Sequence, residues 1–429
     1  MPGIRHPFPK AVLAVTLAVA LQAVTPGRAE DWPQWRGPHR DACSAETGLL
    51  QQWPLEGPPL LWKAVNLGHG YATASVAGGG VFTFGGRGAG LFVSALGERT
   101  GRQLWASRVS APWNGEGPNS TPAVDGGLVY TILPQGDLVC LDVATGRERW
   151  RRSLVKDFGA RFPGRGNSES PLVDGEKLIC TPGGERAALV AVDKKSGKTV
   201  WQARVPQGDS ASYSSAIAAE VGGRRQYIQF LQGGVVGVAA NDGRYLWRYD
   251  KPANATANCS TPLACGDRVF AASAYGLGGG LARLVARGAG TQAEEVYFTK
   301  AMQSHHGGMV VVDDYLYGAH GGNGGTPALV CLDVRTGRVM WEERRAGKGS
   351  IAYADGRLYY RNEDGPMLLV EASPRGYVER GRFNPPDRQA NPAWPHPVIA
   401  NGRLYLRDQD IILCYDIRQH AQRGSPGRP

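Results

Sequence analysis

A motif ending in tryptophan recurs along this chain, and it constrains the fold more than any other feature. Leu138-Val-Cys-Leu-Asp-Val-Ala-Thr-Gly-Arg-Glu-Arg-Trp150 returns as Leu329-Val-Cys-Leu-Asp-Val-Arg-Thr-Gly-Arg-Val-Met-Trp341. Weaker copies end at Trp105, Trp201 and Trp247. In each copy a glycine stands four residues before the tryptophan (Gly101, Gly146, Gly197, Gly243, Gly337), preceded by Thr, Ser or Asp. Degenerate copies end at Phe298 and Phe383, and Trp62 lies on a last strand with no such turn before it. The eight anchors are 42 to 51 residues apart. Self-similarity at that period predicts an all-β fold, an eight-bladed β-propeller of four-stranded antiparallel blades.

Each copy has a physical logic. Ser/Thr-Pro leads into a first strand, as at Thr121-Pro122 and Ser170-Pro171. A glycine turn such as Asp125-Gly126 or Asn401-Gly402 makes a hairpin to a second strand rich in β-formers. The third strand ends at Asp, whose side chain and that of Thr bond turn amides while Gly accepts the left-handed backbone. The fourth strand buries its aromatic against the next blade. The final unit, 394–416, has three strands and no tryptophan strand, whereas 59–64 has a tryptophan strand and nothing before it. Pairing them closes the ring and leaves no open edge, so a monomer is expected.

Composition agrees with this reading. Sixty glycines and eleven tryptophans against five methionines suit many turns joining short aromatic strands, not a helical bundle. The formal net charge of +10 includes Arg5, Lys10 and Arg28, and no run of five like charges exists, which speaks against nucleic acid as a partner. Arg5 and Lys10 precede an apolar stretch over 11–24, followed by Gly27-Arg28-Ala29. That pattern predicts a signal peptide cleaved after Ala29, with export to the periplasm or beyond. The stretch is shorter than the ~20 residues a membrane span needs, and no cysteine follows Ala29 directly, so neither a span nor a lipid anchor is expected. The expected organisation is a signal peptide over 1–29, an N-terminal cap over 30–57, the propeller over 58–420 and a flexible tail over 421–429. Of seven cysteines, Cys140, Cys331 and Cys414 sit in apolar strands as buried thiols, and no spacing fits a zinc site.

The motif Ala-x-Asp-x-x-Thr-Gly-x-x-x-Trp resembles the pyrroloquinoline-quinone (PQQ) repeat, shared by quinoprotein alcohol dehydrogenases and BamB-type outer-membrane assembly factors. The opening Asp31-Trp-Pro-Gln-Trp-Arg-Gly-Pro38 also resembles the start of exported PQQ-repeat-like proteins of planctomycete-type bacteria. The BamB branch implies an envelope scaffold that binds a partner protein through propeller loops. The dehydrogenase branch implies PQQ held with Ca²⁺ and oxidation of an alcohol or polyol. Its adjacent cysteines have no counterpart here, and no residue matches its calcium ligands. The reading favoured is a binding or scaffold module rather than an enzyme, with a PQQ-dependent dehydrogenase and a polysaccharide-binding lectin as alternatives.

No catalytic motif survives inspection: there is no GxSxG, no HExxH and no complete P-loop. The segments just before the first strands would ring one mouth of the channel. They carry Tyr71, Asn119, Asn167, Tyr213, Asn258, His305, His306, Trp394 and His396, with Lys348 beside them. Convergent polar and aromatic groups there suit a small-molecule or peptide pocket, with Trp394 or Tyr213 as a stacking face. The plainer reading is polar lining that caps strand ends. Alternation along a strand would send His305 and His306 to opposite faces, so no metal is expected at that pair. Trp32 and Trp35, outside the repeat register, are expected to plug an edge or face of the ring.

Overall fold

The Asp-x-x-Thr-Gly turns set the shape of every blade. In the computed structural model, Asp142 Oδ1 accepts from Thr145 N at 2.9 Å and Thr145 Oγ1 at 2.8 Å. The Arg149 guanidinium and these turn bonds hold the Asp142 carboxyl down at about 2. Asp193 with Ser196 and Asp333 with Thr336 repeat the arrangement. The structure describes residues 29–419 apart from 116, 222, 288, 289, 323 and 324. The segment expected to be a signal peptide, up to residue 28, and the expected tail lie outside the described residues.

The described residues form eight four-stranded antiparallel sheets. Blades 1 to 7 occupy 75–110, 123–153, 172–203, 217–249, 263–299, 309–343 and 349–383. Blade 8 joins Val398–Ala400, Arg403–Asp408 and Ile411–Asp416 to the N-terminal strand Leu60–Ala64, with Trp62 opposite Cys414. Both chain ends thus build one blade, as expected. The Thr-Pro and Ser-Pro pairs lie just before the first strands Ala123–Asp125, Leu172–Asp174 and Leu263–Cys265 rather than inside them. Proline has no N–H to give a ladder.

The anchor aromatics staple each blade to the next. Trp105 Nε1 donates to Val143 O, Trp150 to Lys194 O, Trp201 to Ala240 O and Trp341 to Ser373 O, each carbonyl lying beyond the third strand of the following blade. Trp62 does the same across the closure, to Glu98 O at 2.9 Å. The repeat glycine covers the tryptophan of the preceding blade, not that of its own. Gly146 lies over Trp105, Gly197 over Trp150, Gly243 over Trp201 and Gly101 over Trp62. A β-bulge before each of these tryptophans aims the ring at the neighbour and turns Leu61, Leu104 and Val200 outward.

Three anchors differ from expectation. In blade 5 the staple is Tyr297, not Phe298: its hydroxyl donates to Val334 O at 2.9 Å and its ring lies under Gly337. The bulge in that strand pair shifts the register by one residue. Trp247 bonds within its own blade, to Gln226 Oε1. Phe383 is covered by Gly57, so the segment entering Leu60–Ala64 supplies the turn glycine that seemed missing before Trp62.

Trp32 and Trp35 close the axis rather than an outer edge. Residues 30–46 run into the channel past the far ends of the first strands. Trp32 bridges Val76, Pro33 O accepts from Val124 N, and Cys43 bridges Tyr353. Arg36 reaches Met309 O, and Arg40 donates to Ser170 O and Pro171 O at 2.9 Å each. Both guanidiniums are fully buried, and burial lowers them to about 10 and about 9. All seven cysteines are free thiols. Among the described residues no helix is long and apolar enough to cross a membrane.

A Cβ on Gly101, at φ +68°, would stand 2.5 Å from Trp62 Cε3. Gly101→Ala therefore destabilises by more than the ~1 kcal/mol of backbone strain alone, and Trp62→Ala by about 3–5 kcal/mol. Urea unfolding of the two variants checks both values. Wild-type stability in either would contradict the staple.

Candidate functional site

Where the loops before the first strands converge, a cavity of about 570 Å³ opens at the mouth opposite the plug. The structure brings Tyr71, Asn119, Tyr213, His305, His306, Trp394 and His396 together on its wall, with Lys348. Asn167 and Asn258 stand behind it. Asn258 spends its amide on Leu231 O, Gln232 O and Asn254 N, tying blade 4 to blade 5. Asn167 is buried, with neither amide atom bonded. Sequence reasoning missed Trp35, Arg165, Tyr275 and Glu363, which complete the lining. Trp35 arrives with the plug, so the channel is blind and Trp35 is part of its base.

The two adjacent histidines share the cavity. Residues 305–307 form a bend rather than a strand, so side-chain alternation does not apply. His305 Nδ1 and His306 Nδ1 are 2.9 Å apart. His305 Nε2 is 3.1 Å from the Tyr275 hydroxyl, and His306 Nε2 faces Glu363 Oε2 at 3.6 Å. One proton pattern satisfies this row: Tyr275 O–H donates to His305, His305 Nδ1–H donates to His306, and His306 Nε2–H points at the carboxylate. Glu363 also receives Lys348 Nζ at 3.0 Å and Trp394 Nε1 at 3.0 Å. Tyr275 holds a left-handed backbone, φ +60°, which is costly for a bulky residue and marks the loop as held in place by its contacts.

The imidazoles are neutral. Burial, then the charges of Lys348 and Arg165, pushes His305 down to about 4. Burial and the neighbouring His305 and Lys348 hold His306 well below the usual range. His396 falls to about 3, by burial and then by Arg36. His396 Nε2–H donates to His306 O at 2.8 Å, which leaves Nδ1 as an acceptor.

Trp394 is not the open stacking face expected. Its ring already packs on Tyr71 at 4.5 Å and on His306 at 4.7 Å. Trp35 has one ring neighbour, His396 at 4.5 Å, and donates Nε1 to Thr261 Oγ1. Like Tyr71, Tyr213, Tyr275 and Trp394, it is half-buried and lines the cavity. A wider cleft of about 810 Å³ on the opposite face, beside plug residues 39–41, has no aromatic wall.

The lining does not suit a calcium-held quinone. Calcium takes six to eight oxygen ligands, carboxylates foremost. Glu363 is the one carboxylate among the described lining residues, and Lys348 and Trp394 occupy it. Among the described residues no group of three or more His, Cys, Asp or Glu is placed to hold a metal.

A family model described as outer membrane protein assembly factor BamB matches residues 91–343, more than half of the chain. The BamB of Salmonella typhimurium is 28% identical over 120 residues, 25% of this chain and 26% of that protein. That of Burkholderia pseudomallei is 25% identical over 273 residues, 59% of this chain and 62% of that protein. In both cases the chain spans less than two thirds of the relative's length. Among solved structures, BamB from Moraxella catarrhalis superposes with a TM-score of 0.60 at 16% identity, covering 85% of this chain and 98% of that one. A quinohemoprotein alcohol dehydrogenase from Comamonas testosteroni gives 0.64 at 12% identity, covering 93% and 82%. At these identities the superpositions establish the fold alone.

The site carries its own test. Unfolded histidine titrates at about 6.5, so the unfolded chain takes up protons that His305, His306 and His396 refuse when folded. Their stabilising effect is complete above that pH and is lost as pH falls toward about 4. NMR should show all three imidazoles still neutral at about pH 5, and His396→Gln should make the acid loss of stability shallower. Ordinary titration of the three rings would contradict the buried arrangement.

Proposed function

The chain belongs to the family of outer membrane protein assembly factor BamB, and from that premise we propose that it is an exported, non-catalytic binding scaffold of the cell envelope. The family match over residues 91–343 carries this reading. The molecule supports it in kind: a closed ring with a plugged axis, polar loops gathered at the open mouth and, among the described residues, no acid–base or nucleophile constellation of a known type there. The partner suggested by the relatives' name is the machinery that assembles outer-membrane proteins. Export to the periplasm or beyond rests on the charged, then apolar, N-terminal sequence.

The runner-up is the alcohol or polyol dehydrogenase, favoured only by a shared ring. Two measurements separate them. The purified chain mixed with PQQ and Ca²⁺ should neither bind the quinone tightly nor reduce a dye when an alcohol is added. Loss of the protein from its host should lower the amount of β-barrel protein in the outer-membrane fraction. Alcohol-driven dye reduction, or an unchanged outer membrane, would overturn the scaffold.

A further inference from the structure

Three residues on the wall of the recess at the open mouth hold buried polar atoms with no partner, and these atoms are of both kinds. His396 gives its one N–H to His306 O, so Nδ1 is an acceptor, and it is unpartnered. His396 is only 5% exposed and lines the cavity. Asn119 gives its amide N–H to Ser168 Oγ at 2.8 Å and leaves Oδ1, a second acceptor, unpartnered. His306 accepts from His305 on Nδ1, so its own hydrogen lies on Nε2. That donor stands 3.6 Å from Glu363 Oε2 and makes no hydrogen bond. Buried polar groups left unmatched are costly, and a ligand that matches them removes the cost.

The three residues come from different quarters of the ring. Asn119 leads into blade 2 at Ala123–Asp125, His306 into blade 6 at Met309–Val312 and His396 into blade 8 at Val398–Ala400. In a ring of eight, blades 2 and 6 are opposite, and blade 8 stands midway between them. Ser170, Ser215 and Thr256, before blades 3, 4 and 5, line the remaining arc with hydroxyls. The base is Trp35, brought by the plug. An occupant therefore needs polar groups around its rim and an apolar face beneath.

Charge narrows the class to neutral molecules. Lys348 Nζ is paired with Glu363 at 3.0 Å, Arg165 has an interaction of its own, and the three imidazoles are neutral. An ion entering the recess would lose water without gaining an unpaired counter-charge. An extended peptide carries its polar groups along a line and cannot reach three quarters of a ring at once. A pyranose carries hydroxyls around its rim and C–H groups on its face. Each hydroxyl both donates and accepts, so it answers Asn119, His396 and His306 alike. A volume of about 570 Å³ is that of a small-molecule site. The plug blocks the axis, so a chain of sugars must present an end.

We infer that the recess binds the terminal pyranose of a neutral saccharide, lying across the axis with its apolar face on Trp35. Its hydroxyls donate to Asn119 Oδ1 and His396 Nδ1 and accept from His306 Nε2. This deepens the reading of the mouth as a non-catalytic binding surface and rests on it.

The test uses the full chain with methyl β-glucoside, methyl β-galactoside and methyl α-mannoside, read by calorimetry and tryptophan fluorescence. At least one should half-saturate below about 10 mM, and glucuronate should bind about tenfold more weakly. Saturating sugar should shift the NMR signals of the His306 and His396 rings, a readout that needs no variant. Asn119→Ala, with an unchanged melting temperature, should weaken the sugar about tenfold, and Trp35→Leu should abolish the calorimetric signal. No binding of any of the three glycosides, glucuronate bound as tightly as the best of them, unshifted histidine signals, or wild-type affinity in Asn119→Ala would overturn the site. Alcohol-driven dye reduction with PQQ and Ca²⁺ tests the non-catalytic reading separately. A chain inert in both assays refutes the saccharide site and leaves the scaffold standing.

Discussion

The molecule depends on one contact repeated around a ring: an aromatic side chain of one blade lies under the turn of the next and donates its polar hydrogen to that turn's carbonyl. A single blade is a small sheet with too little core to stand alone. The staple makes each blade's burial conditional on its neighbour, so the ring gains stability only when it closes. Closure is therefore where the chain invests most. Trp62 reaches blade 1, Gly57 covers Phe383, and Leu60–Ala64 pairs with the last strand. The exceptions are Phe383, which has no polar hydrogen to give, and the surroundings of blade 5, where the longer strands Gly278–Arg287 and Gly290–Thr299 pack by Tyr249 and Tyr297.

A closed ring of short first strands leaves an axis, and the axis must be filled or wetted. This chain fills part of it with its own N-terminal segment. Arg36 and Arg40 are buried there and donate mainly to backbone carbonyls, with Arg36 Nη1 and Arg40 Nε left without a hydrogen-bond partner. Arg36, Arg40 and Ala42 take left-handed backbone conformations to fit. The plug leaves a blind recess. The loops that begin the blades then supply its wall, where neutral imidazoles, one paired carboxylate and a tryptophan base meet. Polar groups that elsewhere cap strand ends are partly unmatched here.

Much of the fold was legible because the repeat is local. Asp142, Thr145, Gly146 and Trp150 lie within nine residues of one another, and their roles follow from turn chemistry and strand period. The mouth was legible as a place, since every loop before a first strand must reach it: seven of the nine residues expected there do line the cavity. Asn167 and Asn258 do not, because a loop's position says nothing about which way an amide turns. Tyr297 escaped notice because its degenerate copy has Ala293 where the others have the turn glycine, so nothing local marks which of Tyr297 and Phe298 is the anchor.

The sequence by itself determined the number of blades, the closure and those anchors that follow a complete Thr-Gly or Ser-Gly turn, since these depend on short-range turns and on a period counted along the chain. Only the tertiary structure decided what the site is made of. Trp35 comes from outside the repeat, Tyr275 from a left-handed loop between strands, and Glu363 from a turn in blade 7. The pairing of His305 with His306 depends on a bend, and the neutrality of both on burial by other blades. Those groups meet across the axis, between segments up to hundreds of residues apart, and no local rule of strands and turns encodes such a meeting.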